Sequence, residues 1–454
     1  MKEYYVVKPK NLDLENRIKQ TPPNFKFSID FAYLVISELI QANAYDQYDN
    51  NKFIPRSSLV LERYNYLYKE HMRYLGDNIE GLGNVIWREN YTKGKSYGYK
   101  LAPQYACENL EVYVIKNFIL LGNINDNDGS KITPSVKKNY KFLIKYFDSK
   151  RLTVMIDHAM LFNESLYNDN KNYQKYLYNI SKILNIQNGK FFLSHKPETD
   201  GRLHSNITTF PKLLRKFLRY DGKILAEVDI SASVPTFLIF LLKNLTTPNH
   251  HIDKIINNNK SYYNQYMLVK NSVSLDDNEI ERFFELVKNG TLYEHFLDGF
   301  NTVHHFNTKL KPDEYFHKEI FKLFNRKFDG DVDDTIKVIK TNILSMLNSN
   351  PKHYVNEKAV FQYYFPTIHN FVLKLKSKDH KFFSHITLQT ESYFMLNVVA
   401  HRLNKDFWRT IPILTLHDCI ITTQDNVDFV KTFMENVFQK ELGFTPNLKT
   451  KIYS

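Results

Sequence analysis

The chain has 454 residues, 43% of them hydrophobic and 15% aromatic, which is too long for one ordinary domain and enough to build two or three lobes with sizeable cores. A net charge of +12 points to an acidic partner, of which nucleic acid is the commonest, although a compositional bias toward Lys, Asn, Tyr, Phe and Ile explains that charge equally well. Two cysteines, Cys107 and Cys419, exclude a disulfide framework or a cysteine-based zinc site as the organising element; Met1–Val7 is too short and mixed for a signal peptide and apolar runs such as Phe237–Leu242 are far too short to span a bilayer, so the expectation is a soluble, cytoplasmic protein that meets no membrane.

In chain order, residues 1–196 read as mostly helical. Apolar spacings of three and four predict helices over Phe31–Ala44, Arg56–Tyr74, Ser135–Asp148 and Asn172–Leu184. Asn123–Gly129 reads as a polar loop, Asn185–Gly189 as a turn, and Lys190–Ser194 as a short strand. After Pro197 the character changes, and short strands alternate with helices. Ile224–Ile230 reads as a strand, followed by a helix start at Ser233-Val-Pro-Thr, with Ser233 as N-cap and Pro235 in the first turn. Residues 280–350 read as helical, Phe361–Lys376 and Leu388–Leu403 as two further helices, and Leu414–Thr423 as a hairpin or bent strand with His417-Asp418 at its tip. The chain therefore divides near residue 195.

Two aspartates stand out against this background. Asp229 closes the apolar strand Leu225–Ile230, and Asp418 interrupts Ile411–Ile421. A carboxylate in an apolar run is costly without a partner. Taken alone, each is more simply a solvated aspartate at a strand end or a hairpin tip. Brought together, two such groups suit a pair of hard divalent cations, the apparatus of phosphoryl and nucleotidyl transfer.

Four segments occur in a telling order: Gly201-Arg-Leu-His-Ser-Asn-Ile leading into Lys212–Arg219, the Asp229 strand with Ser231 and Ser233, Leu388-Gln-Thr-Glu-Ser392 on a helix, and Leu416-His-Asp-Cys419. Their order and spacing resemble the catalytic half of family A nucleic-acid polymerases, the DNA polymerase I superfamily, over residues 197–454. The resemblance implies an α+β right-hand polymerase, with an antiparallel palm sheet and helical fingers and thumb. Residues 1–196 would hold a divergent thumb, and the fingers would span about 245–375. Asp157-His158 and Asp169 are isolated carboxylates, so no proofreading exonuclease domain is expected.

The resemblance also assigns roles. Asp229 and Asp418 would be the catalytic carboxylates holding two Mg²⁺ or Mn²⁺ ions, with the Ile230 carbonyl as a further oxygen ligand and Ser231 just beyond. Arg202 would contact the primer-template backbone, with His204, Arg215 and neighbouring cations along the duplex, unless Lys212–Arg219 is simply a solvated basic face. Gln389 would touch the nucleic acid near the primer terminus, and His417 would support that terminus or the turn. Glu391 is expected at the surface, the alternative being that it orients His417. On the helix around Asp334–Asn348, Lys340 takes the position that grips an incoming triphosphate, with Lys337 as a second cation, although the rest of the family's fingers pattern is missing and a plain amphipathic helix fits as well. Cys419 stands where the family's usual third acid would be. Val234 stands where its DNA polymerases carry a glutamate that excludes the ribose 2′-hydroxyl.

The expected function is template-directed extension of a primer 3′-hydroxyl by nucleoside triphosphates, with DNA the favoured nucleic acid. A single-subunit RNA polymerase, a primase-like or template-independent synthase of the same fold, and a catalytically inactive nucleic-acid-binding module remain open alternatives.

Overall fold

Asp221 and Gly222 turn the chain back on itself between the strands Leu218–Tyr220 and Lys223–Ile230. Their φ angles are 49° and 75°, the doubly left-handed pair that a two-residue hairpin needs and that Asp-Gly adopts readily. Arg151 fixes the tip, its Nε and NH2 donating to the Asp221 carboxylate at 2.9 and 2.6 Å. The fold is given by a computed structural model that describes residues 3–44, 52–90, 94–127, 131–245, 249–257, 260–302 and 312–454.

This hairpin seeds a six-stranded sheet whose pairings are all antiparallel. Lys223–Ile230 lies at its centre. Cys419–Thr423 flanks it on one side and Leu448–Ile452 on the other, while Leu414–Leu416 and Leu152–Val154 extend the sheet outward. The Leu152–Val154 strand comes from the first 196 residues, so this sheet draws on both sides of the boundary expected from the sequence. Smaller sheets elsewhere are antiparallel apart from the parallel pair Lys131–Ile132 and Phe192–His195. The architecture is α+β, as expected.

The Val427–Leu442 helix packs on the central strands of the sheet, and the Ser233–Lys243 helix carries the chain from the central strand into the helical core. Phe237 to Leu242 are all buried, so this helix is apolar all round and lies inside the protein, packed against the helices Asp277–Asn289 and Phe382–Ser392. Ser233 is its first residue rather than its N-cap; Ala232 holds the cap position and makes no side-chain cap. The Ser233 hydroxyl has a different partner, described below. Beyond it comes a run of helices: Leu292–Thr302, Pro312–Phe324, Val332–Asn348, Val355–Tyr364 and Pro366–Leu375.

Three long expected helices are divided, one of them for a clear local reason. Arg56–Tyr74 becomes Ser58–Tyr64 and Tyr68–Gly76, with Asn65 extended at φ −156°. Ser135–Asp148 is cut at Tyr140 into Pro134–Asn139 and Lys141–Ile144. Phe361–Lys376 breaks at Phe365, because Pro366 disfavours a helical residue before it and opens a new helix itself. In the opposite sense, Leu388–Leu403 lies within one continuous helical run, Phe382–Phe407, whose middle, Tyr393–Ala400, is π-helical. Asn123–Asn127 belongs to the helix Phe118–Asn127 rather than to a loop; residues 128–130 lie outside the described set. The first 196 residues also carry unexpected strands, among them the ribbon of Tyr4–Pro9 with Leu110–Ile115. Among the described residues, no helix is long and apolar enough to cross a membrane.

Candidate active site

The sheet register brings the two aspartates together. Asp229, next to last in its strand, pairs with Cys419, the residue after Asp418. The Ile230 N–H donates to the Asp418 carbonyl at 3.3 Å, tying the end of the central strand to the hairpin turn. That turn is His417-Asp418, as expected, between Leu414–Leu416 and Cys419–Thr423. His417 has a φ of 54°, an uncommon backbone state for a residue with a side chain and one found at constrained functional turns.

The electrostatics of the pair follow from this closeness. Burial, then the charges of Asp418 and Glu227, push the Asp229 carboxyl up to about 7, against an opposing pull from Lys340. Burial also raises Asp418; its own backbone N–H, Arg202 and Lys340 pull it down, and Glu227 pushes it up. Two buried carboxyls, one raised by the charge of the other, make a site that a dication would relieve. The donor set, two carboxylates with the Ile230 carbonyl at the strand end, is all oxygen, the chemistry that Mg²⁺ and Mn²⁺ favour.

Glu391 overturns its expectation. Its side chain is 1% exposed, not at the surface, because it has partners the sequence could not reveal. Arg202 donates to its Oε1 through Nε at 2.7 Å and NH2 at 2.6 Å, and the Ser233 hydroxyl donates to Oε2. Arg202, expected on the nucleic-acid backbone, thus holds a buried carboxylate and lowers the pKa of Asp418. Next to it, Gln389 is buried and gives its amide to the carbonyls of Pro197 and Thr199 at 3.1 and 2.9 Å, and the Ser392 hydroxyl donates to the Gly201 carbonyl. Gly201 has a φ of 66°, and a Cβ there would sit 3.0 Å from Ser392 Oγ. One helix face therefore clamps the 197–202 loop directly beside the aspartates.

The remaining expected residues gather around the same centre to different degrees. Lys340 is exposed on the Val332–Asn348 helix, over the Tyr293 ring at 5.8 Å, and its charge acts on both aspartates. Lys337 pairs with Asp334 at 3.0 Å on its own helix. Burial, then Arg202, His204 and Arg215, lower His417 to about 4, so it is neutral at pH 7, with a buried Nδ1 that has no protein partner. The rings of His204 and His417 lie 5.9 Å apart, and His204 Nε2 meets Asp200 at 3.1 Å. Arg215 reaches Glu227 at 3.8 Å. The Ser231 N–H donates to the Asn447 carbonyl at 2.9 Å, and Val234 is half-buried against the core.

Sequence reasoning missed Glu227. It stands two residues before Asp229, and strand alternation puts both on one face, so the signal was present. Its Oε2 accepts from the Tyr453 hydroxyl at 2.6 Å and faces the Cys419 thiol at 4.0 Å. Burial, then Glu227, Asp229 and Asp418, hold that thiol well above its ordinary pKa, so Cys419 is an inert donor rather than a nucleophile. Lys449 and Lys451, paired with Asp229 and Glu227 across the sheet, were also missed. They are exposed and share that face by register.

No protein-family model matches the chain, and no curated protein matches it. Among solved structures, it is similar to the POL domain of Pol1 from M. smegmatis, in complex with DNA primer-template and dNTP, at 10% sequence identity, over 64% of this chain and 54% of that one, with a TM-score of 0.24. The chain thus spans about half the length of that domain.

Proposed function

We propose that this protein is a template-directed nucleotidyltransferase, a DNA polymerase shaped as a right hand, which extends a primer 3′-hydroxyl by attack on the α-phosphate of a nucleoside triphosphate. The observation that carries the proposal is the sheet register that sets Asp229 opposite Cys419 and so beside Asp418, where burial and the charge of Asp418 raise the Asp229 carboxyl. Asp229, Asp418 and the Ile230 carbonyl would hold two Mg²⁺ or Mn²⁺ ions. When bound, such ions supply the positive charge that favours a 3′-alkoxide and a departing pyrophosphate. Lys340, exposed and felt by both aspartates, would bind the triphosphate and stabilise charge on the leaving group. Neutral His417, with its free Nδ1, would position the primer end. The Arg202–Glu391–Ser233 cluster would hold the Asp229 and Asp418 segments in register. Arg215, Lys449 and Lys451 would supply positive charge for the phosphates of the duplex, His204 would offer them a ring N–H, and Gln389 would set the loop beside them.

One observation favours a second reading in the same chemistry. Val234 is apolar and half-buried, so it offers a 2′-hydroxyl neither a hydrogen bond nor a charge, and discrimination against ribonucleotides would rest on bulk alone and be weaker than with a glutamate. An RNA polymerase, or a primase-like or template-independent synthase, is the corresponding alternative.

Primer extension with dNTPs, with NTPs and without template tests both readings. Template-dependent incorporation of dNTPs supports a DNA polymerase; a preference for NTPs, or synthesis without template, moves the assignment to the alternative. No incorporation under any condition, with nucleic acid still bound, would leave an inactive binding module.

A further inference from the structure

The His250–Asn257 helix opens on two histidines, and Glu441, near the end of the Val427–Leu442 helix, lies against them. One ligand atom from each of His250, His251 and Glu441 lies within 4.8 Å of the other two. The buried His251 and the half-buried Glu441 are both held from behind. His251 Nδ1 meets the Tyr393 hydroxyl at 3.0 Å, which points Nε2 at Glu441 Oε2, 2.9 Å away. Arg402 donates to Glu441 Oε1 at 2.6 Å, leaving Oε2 for a second partner. An imidazole fixed through one nitrogen and a carboxylate fixed through one oxygen are how proteins orient metal ligands from outside.

The protonation states fit as well. Burial lowers the pKa of His251, outweighing the hydrogen bond to Glu441. Burial alone would raise Glu441, but the hydrogen bonds from Arg402 and His251 hold it below the ordinary range. At neutral pH one is a neutral imidazole and the other a carboxylate, the forms that bind cations. His250 is exposed, yet its ring centre is 3.8 Å from that of His251, so it adds a second imidazole on the side open to water.

We propose that His250, His251 and Glu441 form a site for a divalent transition cation of the Zn²⁺ class, with water completing a tetrahedral set. His251 would take the tautomer with its proton on Nδ1, donated to the Tyr393 hydroxyl. Glu441 would exchange its hydrogen bond from the imidazole for the cation. The site shares no residue with Asp229 and Asp418, and its nitrogen ligands set it apart from their all-oxygen donors. It would staple the helix leading into the helical region to the helix that precedes the last strand of the central sheet.

The test is Co²⁺ titration of the full-length, chelator-stripped protein, followed by visible absorption, with Zn²⁺ and Mg²⁺ as competitors and melting temperature as a second readout. The expected result is one Co²⁺ per chain with the intense visible bands of a tetrahedral ion, displaced by Zn²⁺ and not by Mg²⁺. Zn²⁺ should raise the melting temperature of the wild type. His250→Ala, an exposed change that leaves the core intact, should weaken binding by about tenfold or more, Glu441→Gln should abolish it, and Asp229→Ala should leave it unchanged. Absence of the bands, or equal binding by wild type, His250→Ala and Glu441→Gln, would overturn the proposal and leave a hydrogen-bonded ion pair.

Discussion

Asp229 is the residue at which burial and chemistry pull against each other. Its carboxyl is raised to about 7 by burial, Asp418 and Glu227, whereas in the unfolded chain it titrates near 4. The folded, metal-free protein therefore holds a proton that the unfolded chain has released. Stability from this group is fully present below about pH 4 and is lost as the pH rises through about 7. Asp229→Asn should stabilise the metal-free protein at pH 8 by on the order of 1–2 kcal/mol, after discounting for the solvent that reaches the group, and the gain should vanish toward pH 4. Urea unfolding at the two pH values measures this; an equal effect at both would contradict it. Burial raises the Glu391 carboxyl too, against the pull of Arg202 and Ser233, but here the partners depend on the group in return. Glu391→Ala should cost on the order of 3 kcal/mol, because it strands Arg202 and the Ser233 hydroxyl. An unchanged denaturation midpoint would show that the cluster carries no strain-free pairing worth keeping.

At the scale of elements, the Val332–Asn348 helix sets where Lys340 stands. Asn342 on this helix is buried and donates to Tyr315 at 2.9 Å and to Glu319 and Glu357 at 3.2 Å. At its C-terminal end, Lys376 donates to the Met346 and Ser349 carbonyls, each at 2.9 Å, satisfying groups that a helix end leaves open. The helix is thus anchored on one face and at one end, while Lys340 stays exposed. Lys340→Ala should leave the melting temperature unchanged and raise the KM for nucleotide by about tenfold or more, the worth of one charge-assisted contact. Steady-state single-nucleotide incorporation checks it, and an unchanged KM would remove Lys340 from the triphosphate site. Element boundaries follow from one or two residues where the chemistry is local: the His417-Asp418 tip is read from the sequence, while the Asp221-Gly222 turn and the break at Pro366 carry such a signal and go unread. The Asn65 and Tyr140 breaks and the π-helical turn at Tyr393–Ala400 are not legible, since apolar spacing continues across them.

For the whole molecule, the two aspartates are legible because each puts a charge in an apolar run, and their meeting is legible only through the order of the segments around them. The buried Arg202–Glu391 pair is not, because its members lie 189 residues apart, and neither gives a local sign of burial. The contribution of Leu152–Val154 to the central sheet is hidden for the same reason: a three-residue strand acquires its meaning from its partner, Leu218–Tyr220. The most direct test is Mg²⁺-dependent extension of a primer-template by wild type, Asp229→Ala and Asp418→Ala, with DNA binding measured on the same samples. Each variant should lose synthesis by at least roughly 10³-fold and keep its nucleic-acid affinity; synthesis at the wild-type rate by either would contradict a catalytic role for the pair.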